Sequence, residues 1–240
     1  LSKRALKNIS LVVFFALAFL FLGTLGKPAI LKSYIYTGIG NCRSIPILCK
    51  VPEGSIIDPD IDQDYLKQLV PYAFEDMLVS MPKGFTVVKA EIRKVYYKKW
   101  HRSDKGNVVY LLYRVPNFFI NLFPNVVKQG VVNDYEFISR LRFARPDSIT
   151  SLTDTFFVVM KSIFTPDLGD QTNVKVVRFV SRDKKGFISY NLGLGGNYFD
   201  CEIFNSRGNF FKLYIKDRTA TLDLDKIFTI ISTVRYPELS

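Results

Sequence analysis

The sequence predicts an α+β protein carried on an N-terminal transmembrane helix, with an antiparallel sheet covered by helices. Three observations predict it. Residues 10–26 read SLVVFFALAFLFLGTLG, 17 residues without a charge, behind Lys3, Arg4 and Lys7. From residue 174 onward, four strand-patterned segments follow one another at short intervals. Between these two regions lie segments of mixed helical and strand periodicity.

At about 1.5 Å per residue the uncharged run spans about 25 Å, slightly short of a hydrocarbon core of about 30 Å. Lys27 can snorkel, which lets the helix continue through Pro28, Ala29, Ile30 and Leu31. Tyr34 and Tyr36 then sit at headgroup depth. A cleaved signal peptide shares the basic start and short apolar run, with Thr24, Leu25 and Gly26 as its exit site. The expectation carried forward is a retained anchor. Three basic residues precede the span and two, Lys27 and Lys32, follow it. The positive-inside rule then places the N-terminus in the cytoplasm and the remainder in a periplasm or outside the cell, at a plasma or inner membrane.

Residues 1–36 are thus assigned to stub, anchor and juxtamembrane tail. Residues 37–58 form a loop-rich stem punctuated by Gly38, Gly40, Pro46, Pro52 and Gly54. Cys42 and Cys49 flank six residues there, and in an oxidising compartment this spacing suits a disulfide loop. Residues 59–240 form the extracytoplasmic domain. With 21 Phe, 13 Tyr and 48% hydrophobic residues, the chain reads as packed, not disordered.

In that domain, Asp58, Asp60, Asp62 and Asp64 load a helix start, suited to the N-terminal dipole. The helix is expected to run to about residue 81, bent at Pro71. Residues 85–101 alternate as a half-buried strand, with Val88, Ala90, Ile92, Tyr96 and Trp100 on one face and Lys89, Glu91, Arg93 and Lys99 on the other. Residues 103–107 turn, and residues 108–115 return as a strand. Residues 117–129 form a short helix interrupted at Pro124, and residues 135–143 a further strand. Pro146, Asp147 and Ser148 start a second helix through about residue 164, with Leu152, Phe156, Val159, Met160 and Ile163 at helical spacing. Residues 222–235 close the chain as a helix.

An internal echo runs through the domain. Lys83-Gly84-Phe85 and Lys185-Gly186-Phe187 are each followed, 22 residues after the glycine, by Gly-Asn. Tyr96 matches Tyr198, and Leu111 matches Leu213. Two similar hairpins explain this, or two related halves of about 59–145 and 146–240.

The net charge is +11, and residues 83–105 carry eight basic residues against two acidic ones. Lys89, Arg93, Lys94, Lys98, Lys99 and Arg102 are the candidate contacts for an anionic partner or lipid; a solvated strand face is the plain alternative. Phe118, Phe119 and Phe123 are the candidate apolar docking residues, with ordinary core as the alternative. The one histidine, His101, reads as an exposed strand-end residue. Cys201 reads as a buried free thiol. The acidic run fails as a calcium loop, since Gln63 replaces the turn glycine and Leu69 the bidentate glutamate. Gly193, Gly195 and Gly196 precede a strand and read as a hairpin turn. No catalytic residue, metal site or cofactor is assigned.

The expected role is therefore a non-catalytic accessory, scaffold or assembly subunit of a membrane-associated complex. Its partners would be the bilayer and other membrane subunits, without nucleic acid. The alternative is a binding module for phospholipid headgroups or acidic glycan. A carboxylate-based hydrolase is third.

Overall fold

The computed structural model describes residues 42–43, 45–74, 77–94, 96–165, 167–193 and 195–236, together with Ser33 and Thr37. The anchor expected at residues 10–26 lies outside them. Among the described residues no helix is long and apolar enough to cross a membrane. The chain divides into two compact units, one containing residues 50–143 and 165–240, the other residues up to 49 together with 144–164.

The larger unit is a mixed α+β structure built on an eight-stranded sheet. Its strands are β1 (Ser55–Ile57), β4 (Phe85–Arg93), β5 (Tyr96–Ser103), β6 (Val108–Arg114), β7 (Lys175–Val180), β8 (Lys184–Gly193), β9 (Gly196–Asn205) and β10 (Phe210–Asp217), in the order β1-β7-β8-β9-β10-β6-β5-β4. Only the β1–β7 pairing is parallel. The meander expected after residue 174 is present as β7 to β10. Each of its turns is short because consecutive strands are antiparallel neighbours.

Two strands form a separate ribbon, β2 (Leu69–Phe74) and β3 (Met77–Pro82), where the sequence suggested one bent helix. Only a four-residue helix, α1 (Gln63–Leu66), forms, capped by Asp62 Oδ1 accepting from the Asp64 and Tyr65 amides. The reason is visible in β3, where Met77, Val79 and Met81 are buried and alternate with more exposed neighbours. That period of two outweighs local helix propensity. Pro71 is tolerated because a two-stranded ribbon leaves amides on its outer side that need no ladder partner.

The ribbon and the closing helix α6 (Leu224–Ser232) cover one face of the sheet. Phe228 meets Phe179 and Phe74 meets Phe211 there, with ring centroids 5.8 and 6.2 Å apart. Cys201 lies buried as a free thiol in this layer. Thr233 Oγ1 accepts from the Ser80 amide at 2.8 Å, and Leu78 and Arg235 exchange backbone bonds of 3.1 and 2.9 Å, so ribbon and helix are tied together.

On the opposite face lie α2 (Phe118–Leu122), α3 (Pro124–Val127) and α4 (Asp134–Phe143). The interruption at Pro124 is as the sequence suggested. Residues 135–143, expected as a strand, are helical. Phe137, Ile138 and Leu141 recur at helical spacing and are all buried, and Asn133 Oδ1 accepts from the Glu136 amide at the helix start. Helices therefore cover both faces of the sheet, rather than one.

The echo is partly structural. Hairpins β5–β6 and β9–β10 share one register at an offset of 102 residues: Tyr96 pairs with Arg114, and Tyr198 with Lys216. Their turns repeat three bonds, from the Ser103 amide to Asn107 O, from Gly106 to Ser103 O and from Asn107 to Ser103 Oγ, matched at Asn205, Gly208 and Asn209. Gly106 and Gly208 have φ of 78° and 80°, which favours glycine at both. Leu111 pairs directly with Leu213, so the hairpins meet about a local two-fold axis. The Lys-Gly-Phe match does not belong to this relation. Phe85 pairs with Ser103, but Phe187 pairs with Glu202 instead of Asn205.

In the smaller unit, Cys42 and Cys49 are disulfide-bonded, as expected, with Cα atoms 5.7 Å apart. A 3-10 turn (Pro46–Cys49) packs against α5 (Leu152–Phe164). A capping box opens α5: the Asp154 amide donates to Ser151 Oγ, and Asp154 Oδ2 accepts from the Ser151 amide.

Candidate functional site

Strand β5 alternates, so its residues divide between the two sheet faces. The turn after Arg93 resets that alternation relative to β4. Trp100 therefore pairs with Lys89, Lys98 with Glu91, and Lys99 with Ala90. This corrects the reading of residues 85–101 as one strand, in which Trp100 shared a face with Ala90. The reversal after Arg93 separates two antiparallel strands, and a bulge between Val87 and Lys89 shifts β4 once more.

The consequence is a sheet face where cations and rings are interleaved. One row runs Lys89, Trp100, Tyr110, Tyr214 across β4, β5, β6 and β10. On one side of it lies the row of Glu91, Lys98, Leu112 and Lys212; on the other lie Arg102, Val108 and Lys216. Lys89 Nζ stands 5.1 Å from the Trp100 ring centre and Lys98 Nζ 4.3 Å from that of Tyr96, both within cation–π range. Trp100 and Tyr110 are 5.1 Å apart. A shallow recess of about 380 Å³ beside Trp100 is lined by Val88, Lys89, His101, Arg102 and Val108.

Glu91 is the counter-charge on this face. Its Oε1 accepts from the Tyr96 hydroxyl at 2.6 Å, and Lys98 Nζ lies 3.9 Å from Oε2. The Tyr96 hydroxyl first, then Lys98 and Arg93, hold its carboxyl below the ordinary range. Burial pushes the Tyr110 hydroxyl up to about 12, so it stays protonated.

Of the six basic residues singled out from sequence, the structure brings Lys89, Arg93, Lys98 and Arg102 to this face. Lys99 lies on the other face, its Nζ 5.5 Å from the Phe74 ring, and Lys94 sits in the turn. Tyr110, which the β5–β6 hairpin sets beside Trp100, was not singled out from sequence, nor were Tyr214 and Lys216, because nothing local says that β10 joins β6. Phe119 is 1% exposed, stacked 4.9 Å from Phe137, and Phe123 lies 5.6 Å from the same ring. Phe118 is half-buried with the Arg114 guanidinium 4.4 Å from its ring. These aromatic side chains are engaged by the core of their own unit.

His101, expected at the surface, is 2% exposed. It packs edge-on against Tyr72 at 5.5 Å, because the β2–β3 ribbon covers that end of the sheet. Among the described residues neither ring nitrogen has a hydrogen-bond partner. Burial, aided by Lys99, lowers its pKa.

Elsewhere, a cleft of about 600 Å³ is lined by residues of both charges, among them Asp62, Lys83, Lys105 and Lys226. Its Asp217 already accepts from the Thr219, Thr221 and Leu222 amides. Among the described residues no group of three or more His, Cys, Asp or Glu is placed to hold a metal ion. No protein-family model matches the chain, and a comparison with curated proteins found no match.

Proposed function

We propose that the protein is a non-catalytic, membrane-anchored accessory, scaffold or assembly subunit of a membrane-associated complex. Its basic and aromatic sheet face would meet an acidic surface of a partner subunit. The observation that carries this reading is the gathering of Lys89, Lys98 and Arg102 around Trp100 on one sheet face. Rings held rigidly beside mobile ammonium groups supply contact area at low entropic cost, while the cations select an acidic surface.

In this reading residues 10–26 are the single membrane span, with the N-terminus cytoplasmic and the sheet periplasmic or extracellular. The Cys42–Cys49 disulfide suits that side of the membrane. The tether raises the effective concentration at a membrane partner, so a contact weak in solution suffices.

The test is extraction in mild detergent, size analysis and mass spectrometry of what accompanies the protein. Membrane proteins in fixed ratio are the expected result. Reversal of charge at Lys89, Lys98 and Arg102 should then release them, whereas Lys99→Glu on the other face should not. A solitary chain carrying lipid or glycan would replace this reading with the second one, a module for an anionic headgroup or acidic glycan. The recess beside Trp100 favours that second reading, and its mark would be affinity falling steeply with salt.

A further inference from the structure

The sheet ends at β4, and no described strand pairs with its outer side. The opposite edge, β1, has three residues, whereas β4 has nine. Long apolar edges are templates for another strand. Val87, Val88 and Ile92 on β4 are 55%, 60% and 59% exposed.

We infer that β4 is the pairing edge for a second copy of this chain, antiparallel about a two-fold axis through Ala90. The argument is one of register. Paired residues share a sheet face, so a symmetric antiparallel pair of regular strands must be centred on a residue. Centring on Lys89 sets Lys89 against its own copy. Centring on Glu91 sets Glu91 against its copy and Lys89 against Arg93 twice. Centring on Ile92 also sets opposite charges together, Glu91 against Arg93, but it carries Lys94, which lies in the turn, opposite Ala90. Centring on Ala90 sets Lys89 against Glu91 twice, within the regular stretch from Lys89 to Arg93, with the small, exposed Ala90 on the axis and the bulge at Val88 outside these pairs. Opposite charges directly across a strand pair are stabilising and like charges are not. Of these registers, the one through Ala90 matches opposite charges without drawing on the turn. The contact is isologous and closes as a dimer.

Disulfide trapping in the full chain, in detergent micelles or lipid nanodiscs, tests this. Cys42 and Cys49 are bonded and Cys201 is buried, so an introduced thiol is the reactive one. Ala90→Cys places two thiols across the axis, with Cα atoms about 4.5–5.5 Å apart. Ile92→Cys separates them by four residues along the strand, about 13 Å, beyond disulfide reach. Mild oxidation should give about ten-fold more covalent dimer from Ala90→Cys than from Ile92→Cys, since bridging needs Cα atoms within about 7 Å. Adding Lys89→Glu to Ala90→Cys should remove most of that dimer, and adding Glu91→Lys as well should restore it. Unchanged thermal unfolding of each variant shows that the fold is kept. No covalent dimer from Ala90→Cys, equal trapping at Ile92→Cys, or no recovery in the charge-swapped variant each overturns the inference. Co-purifying partner subunits are read separately, so this result and the proposed function fail independently.

Discussion

Replacing Arg142 with methionine should cost the larger unit about 3–5 kcal/mol, the range for breaking a buried ion pair by removing one partner. Arg142 on α4 is 1% exposed, with Nε 2.6 Å from Glu202 Oε2 and Nη2 3.0 Å from Asp200 Oδ2. Lys212 Nζ reaches Asp200 Oδ1 at 2.9 Å. Two cations thus balance two carboxylates between helix and sheet. Without the guanidinium, Lys212 still serves Asp200, but Glu202, 2% exposed, loses its charged partner. Burial pushes the Asp200 carboxyl above its ordinary range even with both cations present, so the site has little tolerance for an extra negative charge.

Urea unfolding followed by fluorescence of the single tryptophan, Trp100, measures the effect. The midpoint should fall with the slope unchanged. Thermal unfolding should drop by about 10 °C, taking about 2–4 °C per kcal/mol for a unit of this size. The sign of the pH dependence is a sharper check. In the variant Asp200, already raised by burial, loses one of its two cations, so its folded-state pKa lies further above the unfolded one. Its contribution is therefore largest at low pH and is lost as pH rises, so the deficit should shrink between pH 7 and pH 5. Neutralising both acids, with Asp200→Asn and Glu202→Gln added to Arg142→Met, should recover much of the loss. A loss below about 1 kcal/mol, the scale of an exposed pair, would refute the reasoning. So would a triple variant as unstable as the single one, which would assign the effect to packing.

Three further outcomes follow from other sites. His101 is held neutral by burial, so the unfolded chain binds a proton below about pH 6.5 that the folded chain refuses; stability should fall with decreasing pH by at most about 1.4 kcal/mol per unit, and His101→Phe should lack that component. Urea midpoints at pH 7.5 and 5.5 decide it, and an identical pH response in both proteins rejects the assignment. A Cβ on Gly186 would lie 1.8 Å from Glu202 O, whereas one on Gly195 meets nothing within 4 Å; Gly186→Ala should therefore lower the melting temperature far more than Gly195→Ala, and equal melting would contradict the close approach of β8 and β9. Gly196→Ala should also destabilise, since φ is 110° and its Cβ would stand 2.7 Å from Asp217 O, with scanning calorimetry as the measurement.

What could be read from the sequence divides along a physical line. The strands β7 to β10 and the helix α6 were legible because their turns are short and their burial pattern is local. Residues 69–82 and 135–143 were misread in opposite directions for the same reason. Each is an apolar stretch whose period becomes decisive only against a specific partner surface. Pro71 suggested a bend in a helix until α6 supplied the surface that buries Met77, Val79 and Met81 in alternation. Arg142, inside the segment expected as a strand, stands on a helix whose buried face meets Asp200 and Glu202 of the sheet.

The candidate site shows the same limit at finer scale. The basic run from residue 83 to 105 was plain in the sequence, but which of its cations stand together depends on parity. The reversal that pairs Arg93 with Tyr96 decides that Trp100 falls beside Lys89, and the bulge at Val88 shifts the outer residues of β4 again. A one-residue register shift at the reversal would place Lys99 instead of Lys98 beside Glu91, because side chains alternate along a strand, whereas the bulge bears only on Phe85 to Val87. Tyr214 enters the face only through the pairing of β6 with β10, across about 100 residues of chain, whereas the local β5–β6 hairpin carries Tyr110. Composition thus gives the charge of the segment, while sheet register determines which of its residues stand together on one face. Charge reversal at Lys98 and at Lys99, adjacent in sequence and opposite in the sheet, should consequently give opposite answers in any binding assay. Equal loss from both would mean that net charge alone, and not this face, does the recognising.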